Sequence, residues 1–410
     1  MRDVPISSRN LLLDLFRQGL AAVNGRSAVH AWLSAHPPSG QFHLVALGKA
    51  ADAMTAGALD AAGSLLCVGL VVTRYGFLET PVYRDPRIIT LEAGHPLPDG
   101  QSLAAGNALL LFLKEAPADA EFLFLVSGGA SSTVEVPVEG VSLEQLQQLN
   151  TWLLGSGLPI GDINWVRAAL SRIKGGRLAA RLGGRRATLL LISDVPGDVM
   201  SDVGSGLLLP GQGRSLPELP RRFAGLPFQK GAVAGSPSVT AHIIASNGLA
   251  QAAVAAAARH LGIPVHLHGN LPTTDAAACG KALADLLMDG PTGVHIWGGE
   301  TTVKLPENPG QGGRNQQLAL SAAMALAGRD DILLLAAGTD GADGVTDDAG
   351  ALVDGGSVAR GEDGGFDAED CLRRVDAGDF LEASGDLIHT GPTGTNVMDL
   401  MIAYKSPDQT

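Results

Sequence analysis

The feature that most constrains this chain is a unit that recurs along it: an apolar strand, a tip of glycine and polar residues, and a helix rich in small residues. Strands that are apolar throughout and alternate with helices are typical of parallel sheets covered on both faces. Ligands of such sheets bind beyond the carboxyl ends of the strands. Because the polar tips fall at predicted carboxyl ends, they predict one composite site. The tips are residues 48–50, 74–76, 93–96, 127–132, 193–198, 246–248, 298–302 and 338–344.

The segment 298–317 shows the unit clearly. An apolar run ends at Gly298, a glycine-rich loop follows, and an alanine- and leucine-rich run from Arg314 to Ala327 predicts a helix. Glycine allows the backbone to approach a ligand closely, and a helix N-terminus attracts anions. Arg314 at that helix start can hold a phosphate or carboxylate in a two-pronged grip. The alternative interpretation is a surface β-hairpin with a solvated arginine.

Length and charge limit the class of protein. A chain of 410 residues predicts two or three domains of roughly 150 residues each, and segment 209–237, rich in Pro, Gly and Arg, is the main candidate boundary. The net charge of −13 and the lack of a Lys- or Arg-rich block argue against nucleic acid and anionic membranes as partners. Three distant cysteines without CxxC spacing indicate reduced thiols, and no apolar run reaches the roughly 20 residues that a bilayer needs. We therefore expect a soluble, cytoplasmic protein.

The tips supply the groups that phosphoryl transfer requires. Carboxylates hold Mg²⁺ or accept the hydroxyl proton, cations neutralise phosphate charge, and successive backbone N–H groups bind anions. The cations are Lys49, Arg167, Lys174 and Arg314, and the carboxylates are Asp194, Asp198, Glu300, Asp340 and Asp343. The anion nests are residues 127–129 and 391–396.

Other chemistries lack their motifs. We find no convincing GxGxxG turn with a later acidic residue, no Walker A pattern, and neither HExxH nor GxSxG. Each candidate also has a structural interpretation: Lys49 can be solvated at a helix start, Asp194 can be an ordinary turn residue, and His95 before a proline is more often a turn-stabilising residue than a catalyst.

Taken in order, the tip motifs closely resemble those of the glycerate 2-kinases of the bacterial and archaeal type, whose C-terminal part is a MOFRL domain. The resemblance runs from about Leu47 to Tyr404 and implies ATP-dependent phosphorylation of D-glycerate at its 2-hydroxyl, with Mg²⁺ or another divalent metal. The motifs are LGKAA, TRYG, EAGHPLPD, VSGGASS, INWVR with SRIKGGRLA, ISDVPGD, SNG, GGETTV, GGRNQ, GTDGADG with TDDAGALVDG, and GPTGTN.

The resemblance also implies two α/β domains. The first is a Rossmann-like three-layer αβα sandwich, the second is a smaller MOFRL-type α/β domain, and the active site lies in the cleft between them. The expected ranges are 1–235 for the first domain and 290–410 for the second, with a connecting segment 236–289 whose membership stays open. The expected partners are small molecules, with a homodimer as one expectation.

Carried over by motif, the family's site lysine falls on Lys49, its site arginine on Arg314 and the SDVPGD aspartate on Asp194. These three are the expected catalytic residues. Lys49 and Arg314 would bind the substrate carboxylate and stabilise the transferring phosphoryl group, and Asp194 would orient or deprotonate the 2-hydroxyl or bind the metal. The expected substrate- or phosphate-binding residues are Ser127, Gly128, Gly129, Arg167, Asn247, Asn315, Thr393 and Asn396, and the expected metal ligands are Asp194, Glu300 and Asp340.

Two departures from the family pattern and two rival functions stay open. Ala168 and Ala169 follow Arg167 where relatives commonly carry a basic pair, and Met398 stands where many have Asn. Some relatives of this type are labelled hydroxypyruvate reductases, although the dinucleotide fingerprint is missing here. A non-catalytic protein that binds small hydroxy acids is the other alternative.

Overall fold

The protein forms two compact units. The structure, a computed structural model, describes residues 8–211, 215–229, 231, 233, 235–271 and 274–407. The N-terminal unit comprises residues 24–246 with 394–396, and the C-terminal unit comprises 247–393 and 397–407 with 8–23. Parts of the predicted boundary segment 209–237 lie outside the described residues.

The units are discontinuous in sequence, whereas the predicted domain ranges are contiguous. Helix α1 (Ser8–Ala22) belongs to the C-terminal unit and buries Leu12 and Phe16. A Cβ added at Gly19 of this helix would lie 2.9 Å from a methyl group of Val254 and 3.3 Å from one of Leu400, so the helix packs against residues far away in sequence. Local periodicity predicts the helix but cannot identify the sheet that it covers.

The N-terminal unit contains one parallel sheet of six strands in the order β3-β2-β1-β4-β5-β6. This is the Rossmann strand order, in which strands are added on one side of β1 up to β3 and on the other side from β4 to β6. The switch point therefore lies between β1 and β4, and the order confirms the predicted Rossmann-like α/β fold. Strand β1 is buried at every position, as expected for a central strand covered on both faces. The strands are β1 (Phe42–Leu47), β2 (Leu66–Arg74), β3 (Ile88–Ala93), β4 (Glu121–Val126), β5 (Ala187–Ile192) and β6 (Val239–Ala245).

One helix of this unit, α2 (Gly25–Ala35), precedes β1, and the others named here lie between successive strands in sequence. These are α3 (Ala51–Ala62), α4 (Gly100–Glu115), α5 (Ala130–Thr133), α6 (Leu143–Gly155), α7 (Ile160–Ala169) and α8 (Arg177–Ala180). Their starts follow ordinary capping chemistry: the predicted cap Asp99 forms a capping box with Ser102 at the start of α4.

The C-terminal unit contains a mixed sheet of six strands in the order β11-β10-β9-β12-β8-β7. The prediction of a purely parallel sheet is therefore wrong for this unit. The terminal strand β12 (Asp399–Lys405) inserts antiparallel between β8 (Gly293–Gly299) and β9 (Ile332–Gly338). An apolar run reveals a strand, but its direction depends on distant partners.

The antiparallel insertion has a consequence for the polar tips. Asp399, the first residue of β12, is paired in register with Gly299 and Gly338, the last residues of β8 and β9. The start of β12 therefore lies at the same edge as the tips that follow β8 and β9. The other elements are α9 (Asn247–His260), β7 (Val265–Asn270), α10 (Ala276–Asp289), α11 (Arg314–Ala325), β10 (Gly350–Asp354), α12 (Ser357–Asp363), α13 (Ala368–Arg374), α14 (Ala377–Ser384) and β11 (Leu387–Ile388).

Across the described ranges, every helix is too short or too polar to cross a bilayer.

Candidate active site

The switch point of the N-terminal sheet brings two predicted tips together. Gly48, with a φ of +112°, lets the chain turn after β1, and the Lys49 N–H donates to the Gly128 carbonyl at 2.9 Å. The Ser127 N–H donates to the Leu47 carbonyl at 3.0 Å, and Ser127 Oγ accepts from the Ala50 N–H at 3.0 Å. Ser127 therefore joins the two loops, at the position where sheets of this order bind ligands.

The two glycines after Ser127 provide the predicted anion nest. Gly129 has a φ of +86° and precedes helix α5. Within the described ranges, the Gly128 and Gly129 amides donate to no protein acceptor. Consecutive N–H groups of this kind suit phosphate oxygens. The binding capacity of segment 127–129 thus resides in its two glycines, while Ser127 has the structural contacts.

Asp194 and Asn396 lie against Gly128. A Cβ at Gly128 would be 2.0 Å from Asp194 Oδ2 and 2.0 Å from Asn396 Nδ2, and Asn396 Nδ2 donates to Asp194 Oδ2 at 3.4 Å. Two predicted site residues from distant parts of the sequence therefore meet the glycine loop at one point.

Substituting Gly128 by alanine tests this close packing. We expect Gly128→Ala to lower kcat/KM by about 100-fold or more, because the new methyl group displaces the Asp194 carboxylate and a misplacement of about 1 Å can cost that much. Gly40→Ala is the control, since a Cβ at Gly40 meets nothing within 4 Å. Steady-state kinetics and a thermal melt of both variants provide the measurement. Unchanged kinetics in Gly128→Ala would contradict the placement of Asp194 in the site.

His95 belongs to the same neighbourhood, although its sequence context suggested a turn residue. A Cβ at Gly129 would lie 3.1 Å from His95 Cδ2 and 3.1 Å from Lys49 Cγ, so both side chains adjoin this glycine. Burial, together with the positive charges of Lys49, Arg74 and Arg167, holds the pKa of His95 well below its ordinary value. The imidazole is therefore neutral at neutral pH.

Arg167 of α7 lies close enough to His95 for its positive charge to lower the pKa of that ring. Its Nε donates to Asn150 Oδ1 at 2.8 Å. Burial lowers the pKa of Arg167 to about 10, while the negative charge of Glu135 opposes that change. Arg167 remains a cation at neutral pH, as its predicted role in anion binding requires.

Lys174, a predicted site cation, is instead paired with a buried carboxylate. Its Nζ donates to Glu135 Oε2, and both side chains are almost completely buried. Glu135 Oε1 accepts from Ser171 Oγ at 2.6 Å and from the Val136 N–H at 2.9 Å. The sequence analysis did not identify Glu135, whose neighbours are apolar. A charged residue inside an apolar run was the available signal, because such a residue needs a partner when buried.

Breaking this pair should destabilise the protein. We expect Glu135→Gln to lower the free energy of unfolding by about 3–5 kcal/mol, because the Lys174 ammonium would stay buried without its counter-charge. The double substitution Glu135→Gln with Lys174→Met should recover part of that loss. Asp285→Asn is the control: it removes the exposed partner of Lys281 and should cost at most about 1 kcal/mol. The measurement is urea unfolding of the variants. Equal midpoints for Glu135→Gln and Asp285→Asn would contradict the predicted destabilisation.

Arg314 is the main predicted residue of the C-terminal unit. It begins α11, and its guanidinium donates through Nε to Asp399 Oδ2 at 2.6 Å, through Nη2 to Asp399 Oδ1 at 2.9 Å and through Nη2 to Glu300 Oε1 at 2.8 Å. Burial alone would lower the pKa of Arg314, but Asp399 and Glu300 hold it well above its ordinary value. The alternative of a solvated hairpin arginine is therefore wrong.

The same contacts bear on the predicted role of Arg314 in binding the substrate carboxylate, which stays a prediction. The side chain already forms a two-pronged pair with Asp399, which is fully buried. Sequence reasoning missed Asp399, whose signal was an acidic residue at the start of an apolar strand. The catalytic role of Arg314 stays a prediction.

The predicted metal ligands do not form a ready-made cage. Glu300 and Asp340 belong to the C-terminal unit and Asp194 to the N-terminal unit. Glu300 is paired with Arg314, and buried Asp340 accepts through Oδ1 from the Ala342 N–H at 3.3 Å. Among the residues that the structure describes, no three His, Cys, Asp or Glu side chains are grouped so that they could hold a metal ion. The metal assignment stays a prediction.

Asn315 and Asp343 form the cap of α11. The Asp343 carboxylate accepts from the Asn315 N–H at 3.1 Å, from Asn315 Nδ2 at 3.2 Å and from the Gln316 N–H at 2.8 Å. This contact uses one of the two Asn315 side-chain N–H groups, and the buried Oδ1 of Asn315 makes no hydrogen bond to a described residue, so its substrate role stays a prediction. Burial raises the pKa of Asp343 to about 7, although these hydrogen bonds favour its charged form.

The pKa of Asp343 predicts a pH-dependent stability. An aspartate in the unfolded chain titrates near pH 4, so the folded protein binds more protons between pH 4 and about 7. Stability should therefore fall as pH rises through this window, by no more than about 4 kcal/mol from this group. The measurement is urea unfolding from pH 4 to pH 8 for the wild type and Asp343→Asn. A pH profile in the variant as steep as that of the wild type would contradict the assignment.

Asn247 and Thr393 also make internal contacts. Asn247 Nδ2 donates to the Val397 carbonyl at 2.7 Å and the Asp399 carbonyl at 2.9 Å, and its Oδ1 accepts from Gln251 Nε2 at 2.6 Å. Both amide hydrogens of Asn247 connect the start of α9 to the segment that leads into β12, and its substrate role stays a prediction. Thr393 Oγ1 donates to the Thr339 carbonyl, and its substrate role stays a prediction.

The departure from the family at Met398 has a backbone explanation. Met398 has a φ of +68°, a conformation that Asn tolerates better than Met. The Met398 side chain is buried, so its packing offsets part of the conformational cost. The change therefore concerns packing rather than a polar contact.

Comparisons with known proteins cover nearly the whole chain. A family model described as "Domain of unknown function (DUF4147)" matches residues 11–215, and the model of the MOFRL family matches residues 293–399. The chain is 36% identical to the D-glycerate 2-kinase of Thermotoga maritima, over 97% of this chain and 98% of that protein. It is 35% identical to a putative hydroxypyruvate reductase of Agrobacterium vitis, over 96% and 94% of the two chains. The crystal structure of a glycerate kinase from Thermotoga maritima superposes with a TM-score of 0.81 at 34% identity, over 98% of this chain and 100% of that one.

Proposed function

Because this chain belongs to the glycerate 2-kinase family, we propose that it transfers the γ-phosphoryl group of ATP to the 2-hydroxyl of D-glycerate. The hydroxyl oxygen forms the new bond to phosphorus, the bond to the β-phosphate oxygen breaks, the hydroxyl proton is released, and ADP leaves. The observation that carries the proposal is the meeting of Lys49, the glycine loop and Asp194 at the switch point of the N-terminal sheet.

The contacts suggest a role for each group. The Gly128 and Gly129 amides would hold phosphate oxygens, and the Lys49 ammonium would neutralise charge on the transferring group. The Asp194 carboxylate, beside the glycine loop, would orient the 2-hydroxyl or accept its proton. Phosphoryl transfer depends mostly on positioning and charge stabilisation, which is what these groups supply.

A divalent metal is compatible with this site. Mg²⁺ is usually bound by one or two carboxylates together with substrate phosphates, and not by a cage of protein ligands. Asp194, beside the glycine loop, is a carboxylate of this kind, whereas Glu300 forms an ion pair with Arg314. When bound with the nucleotide, the ion would neutralise part of the phosphate charge.

The direct test is to incubate the purified protein with ATP, Mg²⁺ and D-glycerate and to identify the product by ³¹P NMR. A phosphate on the 2-carbon has one neighbouring proton and gives a doublet, whereas a phosphate on the 3-carbon has two and gives a triplet. We expect the doublet, with D-glycerate consumed in preference to L-glycerate. A triplet would overturn the regiochemistry, and the absence of ADP formation would overturn the kinase.

A reductase acting on hydroxypyruvate is the second candidate. The Rossmann strand order and the name of the Agrobacterium vitis relative favour it. The first turn, however, carries Gly48, Lys49 and Ala50 after β1, and lacks the GxGxxG pattern that dinucleotide binding needs. Loss of NADH absorbance with hydroxypyruvate, absent with heat-denatured protein, would establish the reductase instead.

Location and assembly complete the proposal. We propose a cytoplasmic enzyme, in keeping with cysteines that form no disulfide in the described part of the chain. The predicted homodimer is tested by light scattering of the purified protein, where the mass of one chain, 42.0 kDa, would exclude it.

A further inference from the structure

His95, which adjoins the glycine loop, and two arginines whose charges act on its ring have hydrogen-bonding capacity that the proposed mechanism does not use. Arg74 is the last residue of β2, His95 follows the end of β3, and Arg167 extends from α7. The parallel register aligns Leu47 with Val72 and Arg74 with Ala93, so the ends of β1, β2 and β3 lie at one edge. We call Arg74, His95 and Arg167 the basic pocket.

The donors of the basic pocket are largely unpaired with protein. Arg167 uses Nε on Asn150 and leaves both terminal nitrogens. In the described parts of the chain, neither the Arg74 guanidinium nor the His95 ring makes a hydrogen bond, and Arg74 lies over the Phe77 ring at 4.5 Å. Half-buried donors without acceptors are costly unless a ligand satisfies them.

The neighbouring carboxylates are engaged elsewhere. Asp99 accepts from Tyr75 Oη at 2.7 Å, and Glu92 accepts from the Gly76 N–H at 2.7 Å. Glu135 is paired with Lys174. In the described part of the chain, none of these carboxylates forms an ion pair with Arg74 or Arg167. The two guanidinium groups therefore remain able to bind an anionic ligand.

We propose that the basic pocket binds the carboxylate of a small 2-hydroxy acid substrate and that Lys49 is thereby left to serve the phosphoryl group. The assignment rests on the proposed function where it names glycerate as that acid. An arginine fork matches a carboxylate in geometry, and Arg314, the alternative grip, already holds Asp399. The neutral His95 ring suits a hydrogen bond to a hydroxyl or carboxylate oxygen beside the two arginines.

The test is direct binding by calorimetry to the full-length protein, which needs no turnover. The ligands are D-glycerate, glycolate as a minimal 2-hydroxy acid, and a non-hydrolysable ATP analogue. We expect Arg167→Met and Arg74→Met each to weaken binding of both acids by about 10- to 100-fold, the range for hydrogen bonds to charged groups. Binding of the ATP analogue should change by less than about threefold.

Arg172→Met is the matched control. Arg172 is exposed and lies five positions after Arg167, so its substitution removes the same charge without touching the basic pocket. Both acids should bind this variant like the wild type. The kinetic counterpart is a rise in KM for D-glycerate in the pocket variants that exceeds any fall in kcat.

Two outcomes would overturn the assignment. If the ATP analogue loses affinity while the acids keep theirs, the basic pocket holds nucleotide phosphate; if no affinity changes, it holds neither ligand. Thermal melts identify a variant that fails to fold, and half-exposed Arg74 provides the independent second variant should Arg167→Met unfold. The two proposals can also fail separately. If the protein does not phosphorylate D-glycerate but binds glycolate through both arginines, the kinase activity is refuted and carboxylate binding by the basic pocket is supported.

Discussion

Lys49→Ala is expected to lower kcat by about 100- to 1,000-fold, the usual cost of removing one group that stabilises transition-state charge. Lys49 follows the central strand β1 at the switch point, its N–H is fixed by the Gly128 carbonyl, and its side chain adjoins Gly129. A cation held there acts on charge that develops during transfer. The loss should therefore appear mainly in kcat, with D-glycerate affinity changed by less than about fivefold.

Lys114→Ala is the control for this variant, because Lys114 is an exposed lysine of the same unit, at the end of α4. Lys49→Arg should recover part of the activity, since it keeps the charge but not the shape of the ammonium group. Coupled assay of ADP release provides the measurement for all three variants. A Lys49→Ala enzyme within about threefold of the wild-type kcat would remove Lys49 from the catalytic set.

The sequence was sufficient to predict the parallel sheet of the N-terminal unit, because its strands are apolar and are separated by helices. The runs Glu121–Val126 and Ala187–Ile192 are almost entirely apolar and form strands β4 and β5. A parallel arrangement then places every tip at one edge without further information. This is why Lys49, the glycine loop and Asp194 could be grouped before any coordinates were considered.

The C-terminal unit shows where that reasoning fails. Strand β12 was predicted as an apolar strand, but its antiparallel insertion between β8 and β9 depends on pairing with residues more than sixty positions away in sequence. The same insertion places the Asp399 carboxylate within hydrogen-bonding distance of the Arg314 guanidinium. A local pattern carries no information about that partner, so Arg314 appeared available for a ligand.

The basic pocket illustrates a second limit. His95 precedes a proline, and the sequence context favours a turn whatever the function of the ring. Only the register of β1, β2 and β3 brings Arg74 and His95 beside Lys49. Glu135 and Lys174 are similar, since two charges that are separate in sequence form one buried pair in space.

Asp194→Asn is expected to lower kcat by about 100- to 10,000-fold, the range that general acid–base catalysis contributes. The substitution keeps the size of the side chain beside Gly128 and removes the charge, so binding of D-glycerate and of an ATP analogue should persist. Asp119→Asn is the control from the same unit. Asp119 is exposed and lies between α4 and β4, outside the polar tips, so this variant should fold and retain activity.

The metal dependence of Asp194→Asn separates the two roles that the geometry allows. If Asp194 accepts the hydroxyl proton, kcat falls while the Mg²⁺ concentration for half-maximal activity stays the same. If Asp194 binds the metal, that concentration rises, because Mg²⁺ relies on few protein carboxylates and the loss of one is not replaced. Titrating Mg²⁺ at saturating substrates distinguishes these results. Since Asp194 lies against the glycine loop, an Asp194→Asn enzyme with wild-type kcat would contradict both roles proposed for this carboxylate.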